Sequence, residues 1–123
     1  MSAENRVHLA EFLIEGMRAH IHNLSTFQNQ PSPISATRRL DRITTAGFST
    51  CTKLAQYLEL CRDDQKFYEH YVRLGCETIG VYCQTLCSVQ QVLGVEPDPA
   101  SQRTEQILTD LRLIEQSFPK LSA

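Results

Sequence analysis

Four runs of apolar and small residues recur along this chain at alternating steps of three and four, and this regularity limits its fold more than any other feature. The first run is Val7, Ala10, Ile14, Met17, Ile21 and Leu24, and the second is Ala36, Leu40, Ile43, Gly47, Thr50, Leu54, Tyr57 and Cys61. The third is Tyr68, Val72, Gly75, Ile79, Tyr82, Leu86, Val89 and Leu93, and the last is Ala100, Thr104, Ile107, Leu111, Ile114 and Phe118. Such spacing keeps one stripe on one side of an α-helix, the seam geometry of coiled-coil-like packing, whereas the period-two alternation of a half-buried strand is nowhere sustained. Each run predicts a helix that buries one side.

Turn residues separate the runs. "QNQPSPIS" (28–35) ends the first pattern, and "GVEPDP" (94–99) ends the third. In the latter, Gly94 suits the left-handed position after a helix and Val95 can pack back on it. Asp98 can cap the next helix and Pro99 suits its first turn. Asp63 or Asp64 in "CRDD" offers a further cap, which implies a short turn near residue 62. The expected helices cover about 3–27, 35–61, 64–93 and 99–117 of one domain spanning 1–123, and short connections favour antiparallel neighbours. The fold class read from the sequence is all-α, an antiparallel up-down-up-down four-helix bundle.

Gly47 and Gly75 interrupt two of the stripes, each at a cost of about 1 kcal/mol relative to alanine. With a turn near residue 62, antiparallel positions have numbers summing to about 125, so the two glycines are expected close together. They then either permit a tight crossing of the second and third helices or are simply tolerated.

The formal net charge of −2, from 12 basic and 14 acidic residues spread along 123, provides no broad field for nucleic acid or an anionic membrane. The N-terminal "MSAENRVHLAEF" carries charge where a signal peptide needs an apolar run, and no stretch approaches roughly 18 uninterrupted apolar residues. A cytoplasmic protein without nucleic-acid or membrane partners is expected. Enzyme chemistry has no foothold: there is no glycine-rich phosphate loop, no G-x-S-x-G and no carboxylate pair in an apolar setting. Glu77 is the one acid in apolar surroundings, and burial would raise its pKa.

What the sequence does offer is surface. From Leu74 to Val95 the only charged residue is Glu77, and Gly80, Val81, Gln84, Cys87 and Ser88 lie away from the seam. On the first helix Leu9, Phe12, Gly16 and Ala19 form a second stripe opposite the first. Helices with two apolar sides need two sets of partners, and a symmetric homodimer is the commonest cover for a small protein. The interface expected comprises Leu9, Phe12, Gly16, Ala19, Gly80, Val81, Gln84 and Cys87. The reading is a protein-interaction or regulatory module acting through homodimerisation.

Two alternatives remain. The five cysteines form neither a disulfide framework nor paired CxxC knuckles, so reduced thiols are expected. Cys83 and Cys87 share a helix face with Cys76 two turns earlier, and antiparallel numbering brings Cys51 to Cys76. Cys51, Cys76 and Cys83 are thus candidates for Cu(I) or zinc binding or for redox sensing, against simple packing as small hydrophobes. Second, Tyr57, Phe67, Tyr68 and Tyr71 gather beside the turn near residue 62, where the shorter fourth helix is expected not to reach. They form either a small-ligand pocket or a plug that takes hydroxyl partners from His70 or the 28–35 break. No metal centre or cofactor is assigned. His8, Glu15 and His22 are about 10 Å apart per step along the first helix and do not converge. The histidines read as solvated, as do Arg38, Arg39 and Arg42.

Overall fold

The computed structural model describes residues 3–29 and 33–119. Four helices account for nearly all of them: α1 (Ala3–Ser25), α2 (Pro33–Leu60), α3 (Gln65–Leu93) and α4 (Pro99–Gln116). A 3₁₀ turn, Thr26–Asn29, extends α1, and there is no strand among the described residues. Residues 30–32 of the 28–35 break fall outside them. The local chemistry of the other two turns follows the sequence. Asp64 caps α3 by accepting from the Phe67 N–H at 3.2 Å. Gly94 takes the left-handed conformation at φ 68°, with Val95 N–H donating to the Gln90 carbonyl and Gly94 N–H to that of Gln91. That pair of bonds satisfies carbonyls a helix end leaves orphaned.

Side-chain contacts give the arrangement. Tyr57 meets Arg6 and Thr50 meets His20, so numbers fall along α2 as they rise along α1. Arg73 with Pro119 and Gln90 with Ser101 give the same opposed order for α3 and α4. This is the order antiparallel consecutive helices produce. The helix pairs in broad contact are α1 with α2, α1 with α3, α2 with α4 and α3 with α4. Consecutive helices α2 and α3 are therefore diagonal, and they touch across the middle.

That diagonal contact decides the core. Tyr82, fully buried, lays its ring over Gly47, where a Cβ would lie 2.5 Å from the Tyr82 Cζ and 3.0 Å from Cε2, with the hydroxyl oxygen closer still. The Tyr82 hydroxyl donates to the Ile43 carbonyl at 3.5 Å. Gly75 instead packs beneath Leu54 and Leu58, at ordinary contact distances of 3.7 and 3.9 Å. The two glycines therefore do not face each other. Leu54, which covers Gly75, lies seven residues along α2 from Gly47, about 10 Å of helix, because the register of α2 on α3 is shifted from that implied by a turn at residue 62.

Three-sided contact also explains why α3 carries so little charge. Phe67, Tyr71 and Thr78 are buried on the α1 flank, Cys76 and Gly80 on the α4 flank, and Val72, Ile79, Tyr82 and Leu86 in the centre. Much of the sector expected to serve a second chain is used within this one.

A polar chain fixes the α3–α4 end. Asp98 caps α4: its Oδ1 accepts from the Ser101 N–H at 2.8 Å and the Ser101 hydroxyl at 2.7 Å. Its Oδ2 accepts from the Thr44 hydroxyl of α2 at 2.7 Å, and Gln90 of α3 donates to Ser101 Oγ at 3.0 Å. Thr44, Gln90 and Ser101 are all buried, so these bonds satisfy groups that would otherwise be costly to desolvate. Burial alone would raise the Asp98 carboxyl, but bonds from Ser101 and Thr44 outweigh it and hold the group below its ordinary 3.8.

Two outcomes are expected. Replacing Gly47 with alanine improves helix propensity by about 1 kcal/mol but overpacks the Tyr82 site, so urea denaturation should show a net loss of about 1–3 kcal/mol. In a Tyr82→Leu background the same replacement should cost much less. Asp98→Ala should cost about 1 kcal/mol at neutral pH. A carboxyl lowered by folding stabilises above its unfolded pKa, so the difference between wild type and variant should shrink as pH falls through 3.8.

Candidate functional site

The α1–α3 face is the first candidate. Leu74, Val81, Thr85 and Val92 fall in one column of α3, at steps of seven, four and seven, on the flank that meets α1. Two surface grooves run along this seam. One, of about 280 Å³, lies between Arg18 and Ile21 of α1 and Leu74, Glu77, Thr78 and Val81 of α3. The other, of about 260 Å³, is walled by Leu24 and Phe27 on one side and Thr85, Val89, Val92 and Leu93 on the other. Phe12 is 74 % exposed, Val92 84 % exposed, and Val7, Leu9 and Val81 are also open to solvent.

The eight residues expected at an interface divide. Leu9, Phe12, Ala19, Val81, Gln84 and Cys87 are exposed. Gly16 and Gly80, expected at the interface, instead face neighbouring helices within the bundle. A Cβ at Gly16 would sit 3.2 Å from the Thr50 methyl, so it marks the α1–α2 contact. Gly80 is buried against α4, where a Cβ would lie 3.2 Å from an Arg112 guanidinium nitrogen. Small residues on a helix flank admit a neighbour inside the bundle as readily as outside it. Val92 was legible as a continuation of the Leu74–Val81 column.

The second candidate is the groove between α3 and α4, of about 330 Å³, where Cys83 and Cys87 line one wall with Gly80 and Gln84. Glu105, Leu108, Thr109 and Arg112 line the other. All five cysteines are free thiols; Cys51, Cys61 and Cys76 are buried, Cys83 is half-buried and Cys87 exposed. The expected pairing of Cys51 with Cys76 is not what the charges report. Cys51 interacts electrostatically with Cys83, whereas Cys76 interacts with Glu115 and Arg112. The register shift that separates the two glycines accounts for this as well. Burial, with Cys83 adding, pushes the Cys51 thiol up to about 12. Burial first, then Glu115, pushes Cys76 up to about 11, and burial with Glu105 does the same to Cys83, Arg112 opposing in both. A buried thiol held protonated is a poor nucleophile.

The aromatic end has two halves, and a groove of about 390 Å³ opens beside Tyr68 and Phe118 on one of them. Tyr57, Phe67 and Tyr71 stack together, with centroids 6.4 and 4.6 Å apart, while Tyr68 turns to the other side and meets Phe118 at 5.8 Å. Tyr57 and Tyr68 therefore do not face each other. The chain beyond α4 does reach this end: Arg73 lies over the Phe118 ring and donates to the Pro119 carbonyl. Hydroxyl partners come from α1, since Tyr71 donates to Glu11 at 2.8 Å and Tyr57 to the Arg6 carbonyl at 3.1 Å. His70 instead packs edge-on against the Tyr71 ring. Burial and the Glu11 bond push the Tyr71 phenol up to about 12.

His8, His22 and His70 are exposed, but His20 is half-buried, its Nε2 3.0 Å from the Thr50 hydroxyl, and burial lowers its pKa. Arg38 and Arg42 are exposed, whereas Arg39 donates to Thr26 and covers the Phe27 ring. Glu77 is exposed and not buried among apolar neighbours. Among the described residues, no three His, Cys, Asp or Glu side chains are grouped to hold a metal ion, and no helix is long and apolar enough to cross a membrane. Comparison with protein-family models, curated proteins and solved structures finds no match to this chain.

Native alkylation with iodoacetamide, followed by mass spectrometry, should label Cys87 first and Cys83 slowly. Cys51, Cys61 and Cys76 should react only after unfolding.

Proposed function

We propose that the chain is a non-enzymatic cytoplasmic interaction or regulatory module that works as a homodimer through the face shared by α1 and α3. The observation that carries this reading is the distribution of exposed large hydrophobics. Of seven among the described residues, five (Val7, Leu9, Phe12, Val81 and Val92) stand on α1 and α3, whereas α2 and α4 contribute only Leu60 and Leu113. The two helices are packed neighbours, with Val81 beside their seam and Leu9 and Phe12 farther round α1, toward the side on which Gly16 meets Thr50. Scattered single apolar residues are ordinary on a protein surface, but concentration on one pair of adjacent helices marks a contact site.

Burying one Phe side chain contributes about 1.5–3 kcal/mol, and two-fold symmetry uses each residue twice. Exposed His8, Glu15, His22, Gln84 and Ser88 supply a polar rim. The interior polar groups support a non-enzymatic role: Asp98 is engaged by Thr44 and Ser101, and Glu11 by Tyr71. The small net charge argues against nucleic acid as the partner.

Light scattering should give twice the chain mass for the wild type. Phe12→Glu and Val92→Glu should each give a helical monomer, and Leu113→Glu, on the opposite side, should remain dimeric. A wild-type chain monomeric up to its solubility limit, or a dimer unmoved by both α1–α3 substitutions, would overturn the reading.

A further inference from the structure

We propose that Cys83 and Cys87 form a two-thiolate site for Cu(I) in the α3–α4 groove, beside the Arg112 guanidinium. This inference is independent of the α1–α3 face. Both thiols line the same groove wall, one half-buried and one exposed, so an ion arriving from solvent meets Cys87 and is held against Cys83. Residues four apart on a helix have Cβ atoms about 5–6 Å apart. Two metal–sulfur bonds of about 2.3 Å end to end span about 4.6 Å, which side chains at that spacing can bracket. A disulfide between the same two residues is excluded, because it needs Cβ atoms about 3.5–4.5 Å apart. The pair therefore stays a dithiol unless another molecule intervenes.

Coordination number selects the ion. Structural zinc takes four ligands in a tetrahedron, and no group of three His, Cys, Asp or Glu capable of holding a metal is present among the described residues. Cu(I) is soft, prefers thiolates and is satisfied by two in line. On binding, each thiol releases its proton to solvent and forms one S–Cu bond. Copper stays Cu(I), nothing is oxidised, and the bis-thiolate complex carries a charge of −1. The local cation is in place for it: the missing Cβ of Gly80 lets a nitrogen of Arg112 lie against α3 one turn before Cys83, and Arg112 interacts electrostatically with Cys83. Glu105 acts on the same thiol with the opposite sign and the larger effect, and Arg112 offsets part of it.

The test is an anaerobic titration of the full chain with Cu(I) against the chromophoric competitor bathocuproine disulfonate, with helicity followed by circular dichroism. A single Cu(I) per chain should be withheld from the competitor, and X-ray absorption should report two sulfur ligands. Cys87→Ser, at an exposed position that folding does not need, should abolish retention, as should Cys83→Ser; Cys76→Ser should keep it. Arg112→Gln should weaken retention without changing stoichiometry. A wild-type chain that withholds no Cu(I), or retention by folded Cys87→Ser, would overturn the site. Stoichiometric retention of Zn(II) would overturn the two-ligand assignment. Loss of Cu(I) in the Phe12→Glu chain would move the metal to a bridge between copies and overturn the intrachain site.

Discussion

The bundle depends on one tyrosine lying in the space that one glycine leaves. Tyr82 is among the largest fully buried side chains, and its ring occupies the gap at Gly47 so tightly that a methyl group there would overlap it. This draws α2 and α3, consecutive in the chain, into contact across the middle of the bundle while α1 and α4 pack in the clefts on either side. Helix α3 then has neighbours on three sides. A helix in that position needs few charges, since only a narrow strip including Glu77, Gln84, Ser88 and Gln91 still looks outward.

The same register determines what the buried polar groups can do. With α2 and α3 held as they are, Thr44 and Gln90 both point to the start of α4, and the Asp98 cap collects hydrogen bonds from two elements at once. A cap that would normally serve one helix end thus ties three helices together. The α4 end is secured differently, by Phe118 wedged between Tyr68 and Arg73. Short connections leave little freedom to choose other partners, so these two anchors reinforce the packing that Tyr82 and Gly47 dictate.

Periodicity made the four stripes, their seam residues and the caps at Asp64, Gly94 and Asp98 readable, because each is governed by neighbours within a turn or two. What it could not show is which stripe faces which. A seam defines a side of a helix but not its partner, and numbering about a turn places residues only if the helices run without a shift. That shift moved Gly75 from Gly47 to Leu54 and left Cys51 interacting electrostatically with Cys83 and not with Cys76. Flanking residues such as Cys76, Ser101 and Leu108 were buried beyond a two-position stripe because each helix touches more than one neighbour. Gly16 and Gly80 misled for the same reason: in sequence a small residue looks alike whether it faces a partner within the chain or another molecule.

Burial on three sides also constrains where function can reside. With the centre closed by Tyr82, two accessible features lie along the flanks of α3: Val81 and Val92 toward α1, Cys83 and Cys87 toward α4. Val81 and Cys87 point roughly a third of a turn apart around the helix, with the polar strip between them. Association on one flank therefore leaves the other open. A surface protein contact and a thiol groove can coexist here with only Gln84, on the polar strip between them, common to both.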